Sequence, residues 1–118
     1  MLAAFNRLYL EVNEDVEIRN SLLPPGAGHR FNPPTASSDG NRFTVAVSGK
    51  IALNRPITFR LRESDIAVLN GDDKPMFTAT VTISDDGECR LRVGGQELEF
   101  WQVRRRALEH LFFEIIPE

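Results

Sequence analysis

The chain has 118 residues, 42% of them hydrophobic, and a net charge of −3, the size and make-up of one ordinary globular domain. The mild acidity argues against an obligate nucleic-acid or anionic-membrane surface. Cys89 is the single cysteine, which excludes a disulfide-stapled scaffold and points to a reducing compartment.

The first residues, Met1-Leu2-Ala3-Ala4-Phe5-Asn6-Arg7, lack the basic start and apolar run of a signal peptide. No apolar stretch approaches the ~20 residues of a membrane span. The expectation is therefore one soluble, cytoplasmic domain over residues 1–118 that does not engage a membrane. Leu8, Leu10 and Val12 alternate with polar residues and suggest a strand. Asn13-Glu14-Asp15 then reads as a turn before Val16-Glu17-Ile18.

From about residue 20 to 41 the chain carries Pro24, Pro25, Gly26, Gly28, Pro33, Pro34, Ser37, Ser38 and Gly40. It reads as one long loop, and loops of this length in compact domains are usually functional or disordered. Phe43, Val45 and Val47 alternate beyond it, and Ser48-Gly49-Lys50 can turn the chain into Ile51-Ala52-Leu53. Asn54-Arg55-Pro56 breaks that strand. Ile57, Phe59 and Leu61 alternate again, with Arg60 and Arg62 on the opposite face, and Ile66 and Val68 mark a short strand ending at Asn70-Gly71-Asp72-Asp73.

The strongest pattern is a three-strand meander at about residues 76–103. Phe77, Ala79, Val81 and Ile83 alternate with Thr78, Thr80, Thr82 and Ser84. Asp85-Asp86-Gly87 fits a three-residue hairpin loop with glycine in the left-handed position. That loop sets Ile83 opposite Cys89, Val81 opposite Leu91, Ala79 opposite Val93, Thr82 opposite Arg90 and Thr80 opposite Arg92. Gly94-Gly95 supplies a second turn, pairing Arg92 with Glu97, Leu91 with Leu98, Arg90 with Glu99 and Cys89 with Phe100. A slip of one residue would set Leu98 against an arginine and mismatch both faces at once.

The period changes at the end. Leu108, Leu111, Phe112 and Ile115, with Ala107 beside them, fit a helix over about residues 104–114, although Arg104-Arg105-Arg106 at its start opposes the helix dipole. The expected fold class is mainly β: an antiparallel β-sandwich or partly open barrel with this one C-terminal helix.

Chemistry is sparse. Neither a phosphate-binding glycine loop nor a serine-hydrolase elbow occurs. Two histidines and one cysteine match no zinc pattern. Cys89, placed inward on a strand, suits an inert thiol rather than a nucleophile. The acidic turns lack the spacing of a calcium loop. Thr82-Ile83-Ser84-Asp85-Asp86-Gly87 covers only half of the PilZ cyclic-dinucleotide signature, with threonine at its first position and no R-x-x-x-R partner upstream, and no family is identified. No catalytic residue, metal ligand or cofactor is assigned.

Two residue groups remain. His29, Arg30 and Phe31 in the long loop, with Glu63 and Asp65, can line a pocket between loop and sheet for an anionic or planar ligand. If the last strand runs on to Val103, Trp101 and Val103 emerge beside Arg90 and Arg92 on the polar face, where a tryptophan needs a cover: another part of the chain or a second copy. The leading expectation is a non-catalytic interaction module that self-associates as a homodimer or binds another protein. A small-molecule pocket protein or acid–base enzyme is the alternative. Single-stranded nucleic-acid binding through the arginine face comes third, because Glu97 and Glu99 are expected to neutralise Arg92 and Arg90.

Overall fold

The computed structural model describes residues 2–49, 56–83 and 85–113. Helix α1 (Leu2–Ser21) comes first, followed by β1 (His29–Phe31), β2 (Thr35–Ala36), β3 (Arg42–Val45), β4 (Val47–Gly49) and β5 (Ile57–Leu61). Then come β6 (Ile66–Leu69), β7 (Pro75–Ile83), β8 (Cys89–Val93), β9 (Gln96–Leu98) and helix α2 (Phe100–Phe113). The expected strand Ile51–Leu53 and the side chains of His110 and Ile115 lie outside what is described.

The fold is mainly β and wholly antiparallel, as expected. Seven strands form one sheet in the order β2-β3-β5-β6-β7-β8-β9, and β1 with β4 makes a separate ribbon. The two edge strands of the large sheet are different and short, so it does not close into a barrel. β7 pairs with β6 through Pro75–Ala79 and with β8 through Thr80–Ile83. The last three strands are thus offset along the strand direction, in keeping with an elongated molecule of 47 × 26 × 25 Å.

The meander has the register that its turns predict. Thr80 faces Arg92, Val81 faces Leu91, Thr82 faces Arg90 and Ile83 faces Cys89. Leu91 faces Leu98, and Arg92 faces Glu97. Gly87 sits at φ 81°, and Gly94 and Gly95 at 57° and 83°, the left-handed geometry these turns require.

Its end differs from expectation. β9 stops at Leu98 and the helix begins at Phe100, four residues before Arg104, so Cys89 and Phe100 do not pair across strands. Glu99 caps the helix: its carbonyl accepts from Gln102 and Val103 N–H, and Gln102 Oε1 accepts from Glu99 N–H at 2.8 Å. This is the glutamine half of a capping box, and it outcompetes further pairing with β8.

The N-terminal strand reading is overturned. Residues Leu2–Ser21 are helix, and Ala4, Phe5, Leu8, Val12 and Val16 form its buried stripe. The row 4, 8, 12, 16 has helical spacing; it shares residues 8 and 12 with the apparent alternation, whose middle member, Leu10, is exposed. Packing decides the matter. Phe5 and Tyr9 contact Phe43 with ring centroids 5.2 and 5.3 Å apart, and Phe43 stacks on Phe59 at 4.7 Å.

The segment from 20 to 41 is also more ordered than a loop. β1 pairs with β4 and β2 with β3. Asn20 acts as a surrogate strand partner, its Nδ2 donating to Phe31 O at 2.8 Å and its Oδ1 accepting from Phe31 N–H at 2.9 Å. The predicted strand through Phe43, Val45 and Val47 splits at Ala46, whose carbonyl accepts from Asn32 N–H, and its two halves serve different ribbons.

Both helices join one core with the apolar sheet face, including Phe43, Phe59, Val68, Leu91 and Leu98. They run parallel. Arg7 lies 3.9 Å above the Phe100 ring. Further along, Arg104 donates to Glu11 at 2.9 Å and Asp15 at 2.7 Å. At the far end Arg19 donates twice to Phe112 O, at 3.2 and 3.1 Å.

Leu8 and Leu10 separate helix from strand by experiment. Leu8→Ala should cost about 2–5 kcal/mol as a fully buried truncation. Leu10→Ala should stay within about 0.5 kcal/mol. Urea unfolding of both variants measures this, and equal costs would contradict the helix.

Candidate functional site

The arginine-bearing sheet face is largely neutralised. Arg90 lies within 4 Å of carboxylate oxygens from Asp86, Glu88, Glu97 and Glu99, at 3.7, 3.5, 3.4 and 3.9 Å. Arg62 holds Asp65 in a two-pronged pair of 2.6 and 2.8 Å. Those hydrogen bonds keep the Asp65 carboxyl below its ordinary pKa, against the opposing effect of burial. Arg42 faces Arg60 directly across adjacent strands, and Arg92 is exposed. What remains is a few separated cations, not a continuous track for a phosphate backbone.

The five residues expected to line a loop–sheet pocket do not come together. Phe31 is fully buried in the core, with its ring 4.9 Å from that of Phe112. His29–Phe31 attach through β4, beyond the Val45–Ile57 end of the β3–β5 ladder, while Glu63 and Asp65 lie beyond its Arg42–Arg60 end. About 10 Å of ladder separates the two groups. His29 and Arg30 instead edge a shallow polar depression of about 480 Å³ shared with Asn20, Gly28 and Ser48. His29 Nδ1 is closed off from solvent there without a hydrogen-bond partner. No group of three or more His, Cys, Asp or Glu side chains that could hold a metal occurs among the described residues, and none of their helices is long and apolar enough to cross a membrane.

The helix pair holds the more developed surface. An open groove of about 500 Å³ runs between α1 and α2. Leu108 and Phe112, nearly buried, form its floor. Its α1 wall presents Ile18 and Leu22, 59% and 67% exposed, and its α2 wall presents Trp101 at 51%. Asp15, Arg19, Arg104, Arg105 and Glu109 complete the lining. Three of the exposed large apolar side chains of the described residues thus line this one groove.

Trp101 therefore stands apart from its expected setting. It lies on a helix, not on the polar sheet face beside Arg90 and Arg92, and none of the described residues covers it fully. Val103, two residues on, turns inward and is 1% exposed; the early helix start separates the two residues that a strand would have kept on one face. The sequence pattern hides Ile18 and Leu22, because it places Ile18 in an extended segment and Leu22 in the long loop. Their i, i+4 spacing beside the buried row is the signal that a helical reading would have used.

Trp101 is the chain's single tryptophan and reports on this groove directly. In dilute solution acrylamide should quench it about as readily as an exposed indole, and strong protection at nanomolar concentration would show that the groove is closed within one chain.

Compared with protein-family models, curated proteins and solved structures, the chain matches none.

Proposed function

We propose that the chain is a non-catalytic interaction module of the cytoplasm, and that it self-associates through the groove between α1 and α2. The observation that carries this reading is the solvent-open strip of Ile18, Leu22 and Trp101 above the Leu108–Phe112 floor. Tryptophan and arginine, the residues in which binding hot spots are enriched, both line this groove, with Trp101 at one end of it. A non-catalytic role is supported by the scatter of reactive groups. Cys89 starts a strand in the meander, packed against the core, while His29 sits on the β1–β4 ribbon.

Sedimentation velocity over a concentration series tests the proposal. A reversible dimer is expected, with Trp101 emission moving to shorter wavelength as it forms. Trp101→Ala should weaken association by about 2 kcal/mol or more, roughly thirty-fold, as a hot-spot truncation, with the far-ultraviolet circular dichroism unchanged. A chain that stays monomeric up to about 1 mM, an affinity too weak for a specific dimer, would overturn the reading.

A small-ligand site at the polar depression is the second reading, favoured by the orphaned His29 Nδ1 in its wall. Buried polar atoms normally have a partner, and an anion accepting from Nδ1–H could serve as one here. Titration with small anions should then give saturable chemical-shift changes at the His29 ring. A flat response removes this reading.

A further inference from the structure

We infer that the groove's occupant is a second copy of this chain, docked across a two-fold axis with the α2 helices antiparallel and Arg105 facing Glu109 of the partner subunit. The inference rests on the self-association proposed above and specifies its geometry.

The groove has a direction because α1 and α2 run parallel. One end carries Trp101, and the other carries Leu22 and Phe112. Trp101, Arg105 and Glu109 recur every four residues on α2 and therefore share one ridge along its surface. Arg105 and Glu109 are both exposed, and neither has an ion-pair partner among the described residues. The neighbouring Arg104, by contrast, is fully engaged by Glu11 and Asp15. The ridge thus displays one free cation and one free anion a single turn apart.

A two-fold interface sets the same patch on both copies against itself, so residue i meets j and j meets i. With the helices antiparallel, Arg105 of each copy meets Glu109 of the partner subunit, giving two opposite-charge contacts. A parallel arrangement would set arginine on arginine and glutamate on glutamate, which costs affinity. The spacing supports the antiparallel choice independently. An axis midway between residues 105 and 109 passes level with Ala107. Trp101 then lies six residues from the axis and Phe112 five, about 9 and 7.5 Å at the helical rise. Each tryptophan consequently arrives within about 2 Å of the level of the apolar Leu22–Phe112 end of the other groove. Knob and hole are on the same chain at matching distances from one axis.

Charge exchange tests the pairing on the full chain by sedimentation velocity. Arg105→Glu and Glu109→Arg alone should each weaken homodimerisation about ten-fold or more, because each places two like-charge pairs in the interface. An equimolar mixture of the two single variants should dimerise with near wild-type affinity, since every contact between unlike chains is then opposite in sign. The double variant R105E/E109R should recover likewise. Both positions are exposed, so folding is not at stake; circular dichroism checks it. If wild type dimerises but all four samples match it, the antiparallel geometry is wrong while self-association stands. If wild type does not dimerise, the failure lies with the proposal beneath it.

Discussion

The guanidinium of Arg104 is the interaction on which the helix layer depends. Glu11 and Asp15 sit four residues apart on α1, a spacing at which like charges repel, and Arg104 reaches across from α2 to hydrogen-bond both. Parallel helices also set like ends of their dipoles side by side, a further small penalty. One cation placed between two anions reverses the first effect and offsets the second. Its side chain is only 16% exposed and those of its two partners 27%, so removing the cation would leave Asp15 poorly solvated without it and Glu11 with Arg7 alone. The cost is on the order of 1–3 kcal/mol, discounted from a fully buried pair because water still reaches the acids.

Fixing the helices in parallel has a consequence for the surface. Arg7 over Phe100 and Arg19 on the Phe112 carbonyl tie the two ends at equal heights, so the helices lie along each other over their shared length. Their inner stripes reach the sheet, but the outer shoulders diverge and leave a furrow whose floor is apolar. The sheet's opposite face went another way. There Arg90 gathers four carboxylates and Arg62 takes Asp65, which neutralises much of the charge on that face.

How much of this was legible beforehand depends on how local the deciding contact is. The β7–β8–β9 register could be read because two glycine turns and two alternating faces all had to agree. The helix start at Phe100 carried its own signal in Glu99 and Gln102, three residues apart, but the alternation of Leu98 and Phe100 spoke more loudly. In α1 the apolar residues lie on several sides: Leu8 and Val12 inward, Leu10 and Ile18 outward. A pattern smeared in this way supports either period, and short apolar runs are ambiguous for that reason. The candidate site was half visible. Trp101 stood out as a residue in need of a cover, whereas Ile18 and Leu22 became visible only once their segment was known to be helical.

By itself the chain determined the character of its strands, the register of its final ribbon and the helical end, because each follows from neighbours within a few residues: turn geometry, alternation and the four-residue period. Only the tertiary structure decided that residues 2–21 form a helix, that Arg104 belongs to Glu11 and Asp15 some ninety residues away, and that a groove lies between them. Those outcomes hinge on which face finds an apolar partner. For α1 that partner is Phe43 and Phe59, and no local spacing can announce a contact made across the whole fold.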